Sequence, residues 1–353
     1  MHVQNKGIFV LILVLVVGGI FFLESTKTNS SSSLSSESLT LTSEKKESFT
    51  PAPELQGIAG YINADSSFSL QSQKGKVILV DFWTYSCINC IRTQPYLNAW
   101  HEKYADKGLV IVGVHTPEFG FEEEYDNVKA AVEKAGILYP VVMDNDYQTW
   151  RAYKNQYWPR KYLIDAEGFI RYDHIGEGGY EETEEQIQLL LKERDEKIQL
   201  EESVSSMVEE QTPETDFSKI QTPEIYLGYA FARAPLANPE NYQPDQTVEY
   251  TLPETLPPNL VALEGTWKNT PDYMELISEN GKVALYYSAK NVNIVAAQPA
   301  QVMVTLDGSI IQDSLSIEEE KLYSIVEENA YAPHTLTLDI EGKGFRLYTF
   351  TFG

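Results

Sequence analysis

Cysteine is almost missing. Among 353 residues there are two, Cys87 and Cys90, separated by Ile88 and Asn89. A structural disulfide across so short a loop would remove little unfolded-chain entropy. A zinc site lacks a second cysteine pair and any H-x3-5-H pairing to complete four ligands. Basic charge is scarce too: 27 Lys and Arg face 52 Asp and Glu, a net charge of −25. That balance argues against nucleic acid and against docking on anionic lipid through a basic patch. Large apolar residues are nearly absent from residues 25–53, which are rich in Ser, Thr, Lys and Glu. Such a stretch cannot bury enough surface to offset its ordering entropy, and it reads as a disordered linker. No internal repeat is visible.

One long apolar run exists, at residues 7–23, with Lys6 before it and Glu24 after it. It is close to the minimum for a membrane span, somewhat long for a signal-peptide core, and followed by no small-x-small cleavage site. The lack of a cysteine near residue 25 removes a lipid anchor. Residues 1–24 are therefore expected to form an uncleaved signal anchor, a single-pass transmembrane helix; a cleaved signal peptide is the alternative. The charge asymmetry places the bulk of the chain extracytoplasmic at the cell membrane. There a cysteine pair oxidises unless something keeps it reduced.

From residue 54 to 200 strand and helix patterns alternate. Residues 76–83 read as a buried strand, 87–104 as a long amphipathic helix and 109–115 as a second buried strand. A helix at 125–135 closes on Gly136, followed by a strand at 139–143 and a short helix at 148–154. Residues 161–164 and 169–174 flank Asp165-Ala166-Glu167-Gly168 as a hairpin, and 181–199 form a last helix. The expectation is a mixed central sheet with helices on both faces. The acidic runs Glu122-Glu123-Glu124 and Glu181-Glu182-Thr183-Glu184-Glu185 read as solvated helix faces. Residues 201–223, polar and broken by Pro213 and Pro223, form a linker. Residues 224–353 carry short alternating runs, such as 283–287, 291–296 and 301–306, with Asp307-Gly308 as a hairpin turn. They predict an all-β sandwich, jelly-roll-like.

The cysteine pair sits where a buried strand gives way to a helix, the thioredoxin-like redox arrangement. A helix N-terminus favours a thiolate through its unpaired N–H groups and dipole. Cys87, as first helical residue, is expected to be the nucleophile that attacks a substrate disulfide. Cys90, one turn inward, is expected to resolve the mixed disulfide.

The stretch Asp81-Phe82-Trp83-Thr84-Tyr85-Ser86-Cys87-Ile88-Asn89-Cys90 resembles the active site of thioredoxins. It is closer to the extracytoplasmic TlpA/ResA-like thiol–disulfide oxidoreductases, and closest to the soluble C-terminal region of DipZ-type proteins. Pro95 lies where thioredoxins kink the active-site helix, and Trp158-Pro159 matches their cis-proline. Gly113-Val114-His115-Thr116-Pro117-Glu118 lines up with the TlpA/ResA-like segment that brings a glutamate beside the cysteines. Thr222-Pro223-Glu224-Ile225-Tyr226-Leu227-Gly228 looks like the opening of the second, carbohydrate-binding-module-like domain of DipZ-type proteins.

The resemblance implies an α/β thioredoxin-like domain followed by a β-sandwich, exchanging electrons with protein thiols and disulfides. Cys87 and Cys90 form the redox-active disulfide, with no other cofactor and no metal. Asp81 is implied to be a buried carboxylate with a raised pKa that relays the proton of Cys90, its alternative being a helix cap. Glu118 is implied beside the cysteines. Trp158 and Pro159 are implied on the substrate side, through a cis bond that exposes backbone to an extended substrate. Trp83 is either a substrate contact or a packing aromatic. His115 reads as a structural histidine at a strand end. Ser86 departs from the tryptophan of thioredoxin itself. Since only one hydrophobic segment is present, the electrons are implied to come from a separate membrane donor of the CcdA/DsbD type. Ile88-Asn89 offers no cation to stabilise a thiolate strongly, which points to the reducing direction.

Two other readings have support. Thr84-Tyr85-Ser86-Cys87 satisfies the T-x-x-C of peroxiredoxins, although Val80 stands where that family has proline. Trp267 and the many tyrosines of the β region could form a sugar-stacking surface, or could fill its core.

Overall fold

The computed structural model describes residues 49–200, 202–209 and 215–353. The expected anchor at 1–24 lies outside the described residues, as does most of the expected linker at 25–53. No helix among the described residues is long and apolar enough to cross a membrane.

The first domain is built on a mixed sheet of β1 (Thr50–Pro51), β2 (Gly60–Ile62), β3 (Val77–Trp83), β4 (Leu109–His115), β5 (Val141–Met143), β6 (Arg160–Ile164) and β7 (Phe169–Ile175). Their order is β1-β7-β6-β3-β4-β5-β2, with β3–β4 and β4–β5 parallel. Helices α1 (Ile88–Tyr104), α2 (Tyr125–Lys134), α3 (Gln148–Ala152) and α4 (Tyr180–Arg194) complete it. β3 is buried along its whole length, which is why its sequence is a continuous apolar run and not an alternation. Val77 and Leu79 pack with Leu97, Trp100 and Ile187 on one face. Ile78, Val80 and Phe82 pack with Trp150 and Tyr162 on the other. The period of two therefore puts Asp81 on the face that carries α1 and Cys90.

Two boundaries differ from expectation. Thr50–Pro51 belongs to the sheet, paired with Ile170 and Phe169, so the sheet takes in part of the expected linker. The last helix stops at Arg194, and a short helix α5 (Ser205–Glu209) follows within the expected 201–223 linker. Glu184 is the reason. It accepts hydrogen bonds from the Tyr104 hydroxyl (2.5 Å), the Ser203 and Ser205 hydroxyls (both 2.6 Å) and the Val204 amide. Burial raises its pKa, but these donors together outweigh burial and hold it at about 2. A residue read as part of a solvated acidic face instead pins the following segment to the first domain.

The second domain contains β8 (Ile225–Tyr226), β9 (Thr247–Tyr250), β10 (Val261–Asn269), β11 (Met274–Leu276), β12 (Asn280–Ala297), β13 (Ala300–Leu306), β14 (Ser309–Ile317), β15 (Lys321–Glu341) and β16 (Arg346–Phe352). It is β-rich as expected, but its strands form one hydrogen-bonded network, not two separate sheets. The runs at 283–287 and 291–296 are one 18-residue strand, β12, paired along the 21-residue β15. A register irregularity between Ala289 and Asn291 lets the pair bend around the core. Trp267 lies fully inside that core, its ring N–H donating to Glu264 O at 2.9 Å. It is unavailable to stack on a sugar, and the sugar-stacking expectation is corrected at this residue. The two domains share a small apolar cluster of Phe119 and Phe121 with Tyr226, Val295, Ala297 and Tyr348.

Candidate active site

Helix α1 starts one residue later than expected, because Cys87 is its N-cap. With φ −79° and ψ 116° its backbone is extended, and its Sγ accepts the Cys90 amide N–H at 3.3 Å. The sulfur thus takes the place of the oxygen that normally caps a helix. Both cysteines are free thiols. Cys87 is half-buried and reaches a cleft, whereas Cys90 is buried beneath it. Burial, followed by the hydrogen bond and charge of Cys87, pushes the Cys90 thiol well up. One sulfur is reachable; the other keeps its proton until something removes it.

Asp81 is a buried carboxyl close enough for its charge to act on the Cys90 thiol. Its carboxyl is 1% exposed, and one oxygen has no hydrogen-bond partner. Burial pushes its pKa up to about 7, against the opposing pull of Lys161. Lys161 is fully buried and stands directly opposite Asp81 in the β3–β6 register. Its ammonium donates to Gly176 O at 3.1 Å, and burial lowers its pKa. The sequence reading missed this lysine. In the sequence it reads only as the start of a strand, which the structure begins at Arg160, and only the register of two strands far apart in sequence reveals its partner.

The loop before Cys87 is held by a second buried carboxylate, Glu122. It accepts from the Ser86 hydroxyl (2.6 Å), the Ser86 amide (3.2 Å), the Glu118 amide (2.6 Å) and the Phe119 amide (3.1 Å). The reading of Glu122 as a solvated face is overturned, and Ser86 gains a reason: a tryptophan there could not donate this bond. Burial still pushes the Glu122 pKa up despite these donors. Glu122→Gln is expected to destabilise the protein by about 2–3 kcal/mol, because an amide offers one acceptor oxygen where the carboxylate offers two. Urea unfolding measures this, and an unchanged midpoint would refute it.

Glu118 lines the same cleft as Cys87, with its pKa pushed up by burial and then by Glu224 and Glu122. Its hydrogen-bond partner comes from the second domain: the Tyr226 hydroxyl donates to Glu118 Oε1 at 2.5 Å. The Trp158–Pro159 bond is cis, and Trp158 lines the cleft, its ring N–H donating to Thr116 O at 3.1 Å. Trp83 does not line it. Its side chain is buried in the same core cluster as Cys90, edge-on to His115, and the substrate-contact alternative for Trp83 is corrected to packing. His115 is also buried; burial holds its pKa down at about 3, so the ring is neutral. No group of three or more metal-ligating side chains occurs among the described residues.

Residues 50–173 match the AhpC/TSA family, and residues 222–353 match the family described as Thioredoxin like C-terminal domain. Protein DipZ of Mycobacterium bovis is 35% identical over 316 residues, which is 87% of this chain and 43% of that protein. Thiol-disulfide oxidoreductase YkuV of Bacillus subtilis is 29% identical over 143 residues, 40% of this chain and 95% of that protein. Thiol-disulfide oxidoreductase ResA of Bacillus thuringiensis is 31% identical over 123 residues, 35% of this chain and 66% of that protein. The chain spans less than half the length of DipZ.

Proposed function

We propose that this chain, whose residues 50–173 match the AhpC/TSA family and whose residues 222–353 match the family described as Thioredoxin like C-terminal domain, is a thiol–disulfide oxidoreductase acting on protein disulfides. The observation that carries the reading is the asymmetry of the cysteines: Cys87 at the cleft, and Cys90 buried beside Asp81 and Lys161.

In the reducing direction the Cys87 thiolate attacks one substrate sulfur, and the other substrate sulfur leaves as a thiolate that takes a proton. Cys90 then gives its proton to the Asp81 carboxylate and attacks Cys87. The second substrate thiol departs, and two electrons have left the protein as the Cys87–Cys90 disulfide forms. Ile88-Asn89 contributes no charge of its own. The Arg92 guanidinium that donates to Asn89 at 2.9 Å is offset by Glu177, 2.8 Å away. The lack of an unpaired cation beside the cysteines favours a reductant, and a potential above about −150 mV would reverse the direction.

A membrane-anchored, outward-facing position extends this reading, supported by Lys6 and the apolar run at 7–23. It in turn calls for a membrane electron donor of the CcdA/DsbD type, since the oxidised pair must be re-reduced there.

The T-x-x-C spacing and the AhpC/TSA match favour a thiol peroxidase as the second reading. Stopped-flow mixing of the reduced protein with a disulfide-bonded protein, and separately with hydrogen peroxide, decides between them. The expected result is stoichiometric release of substrate thiols, with peroxide reacting no faster than with an ordinary free thiol. Rapid consumption of peroxide without disulfide reduction would reverse the assignment.

A further inference from the structure

Cys87 opens into a cleft of about 620 Å³ whose two walls belong to different domains. Trp158 and Glu118 stand on the side of the first domain, and Glu224, Tyr226, Arg233 and Phe352 form the wall from the second. Tyr226 joins the walls. Its hydroxyl lies 2.5 Å from Glu118 Oε1 and 2.9 Å from Glu224 Oε2, and it has a single proton for two carboxyl groups. The Arg233 guanidinium covers the Tyr226 ring from 5.1 Å. The shared cluster of Phe119, Phe121, Tyr226 and Tyr348 fixes the second domain against the segment that carries Glu118.

We propose that the β-rich domain supplies half of the substrate site, so that the cleft grips an extended polypeptide segment around the target disulfide. The inference rests on the thiol–disulfide reading and names its substrate class. The volume suits a ligand of drug size, within the range of ~300–1,000 Å³. A small disulfide would leave most of it empty. The lining interleaves side-chain amides, Asn89, Gln156 and Gln221, with the aromatic rings of Tyr157 and Trp158. Amides offer both a donor and an acceptor, as peptide groups require, and the rings offer apolar faces to alternate side chains. Arg233 and the Tyr226–Glu118–Glu224 cluster then set which residues are accepted beside the disulfide, by charge.

The test compares the full chain with Arg233→Glu and Tyr226→Phe, using a disulfide-looped peptide and the neutral small molecule 2-hydroxyethyl disulfide. Arg233 is exposed, so its replacement preserves the fold even if Tyr226→Phe loosens the interface. The expected result is a KM for the peptide raised about fivefold to tenfold, with kcat within about twofold. The ratio of kcat/KM for the peptide to that for the small disulfide should fall accordingly. An unchanged ratio in both variants, with wild type reducing both compounds, overturns this inference alone. Competition of a cell-wall oligosaccharide with the peptide at this cleft overturns it as well, in favour of a sugar site. If wild type reduces neither compound, the thiol–disulfide reading itself falls.

Discussion

A Cys90→Ser variant, once reduced and mixed with its substrate protein, should accumulate a mixed disulfide through Cys87 and stop there. A Cys87→Ser variant should form no adduct and lose turnover by roughly 10³-fold or more, as enzymes do when the nucleophile is removed. The expectation follows from where the two sulfurs lie. Cys87 reaches the cleft, while Cys90 lies beneath with its proton retained by burial. Attack therefore begins at 87, and only the intramolecular thiol can release the product. Non-reducing electrophoresis with mass mapping of the adduct reads the result. If Cys90 alkylates before Cys87, or if the Cys90→Ser variant turns over normally, the order of attack is wrong.

The second large effect concerns the buried pair behind them. Asp81→Asn should slow the resolving step by about 10²–10⁴-fold, the usual loss for a removed general base. It should also erase the limb of the pH–rate profile near pH 7, where the wild-type rate rises as the carboxyl ionises. The stability consequence has a definite sign. The folded pKa, about 7, lies above the ordinary 3.8, so protonated Asp81 favours the fold. That contribution is complete below the ordinary value and is lost as pH rises through 7, roughly 4 kcal/mol across the window.

Lys161→Met should accordingly behave differently on the two sides. At pH 8 it removes the charge that pulls the Asp81 pKa down, so Asp81 takes up a proton that the wild type has released, and the variant should lose about 1 kcal/mol relative to its stability change at pH 5.5. At pH 5.5 Asp81 is neutral, and methionine fills the space without a buried ammonium, so the change should be neutral or stabilising. Urea unfolding at the two pH values measures the difference; equal losses at both would show that Asp81 and Lys161 do not interact as described.

Both predictions depend on features of different legibility. The C-x-x-C pair, the buried strand before it and the helix after it were readable from residues 77–104, because periodicity and spacing are local properties. The cis bond at Trp158–Pro159 was implied only by resemblance. The placement of Trp83 was left open by the sequence and settled as packing by its neighbours. Glu122, Glu123 and Glu124 are three copies of one residue, yet only Glu122 is buried. No local pattern separates them, because what buries Glu122 is the convergence of Ser86 from 36 residues away with two amides of its own loop.

The C-x-x-C pair at a strand–helix junction, the alternation that builds a central sheet and a β-rich region following it were all legible along the chain. Each of these depends on apolar spacing and turn residues within a few positions of one another. The tertiary structure alone decided that Lys161 faces Asp81, that Glu122 anchors Ser86, and that Tyr226 reaches Glu118 across 108 residues. A charged or polar side chain has a role only once its partners are fixed. Those partners arrive from strands and domains whose register is set by burial, not by the neighbouring sequence.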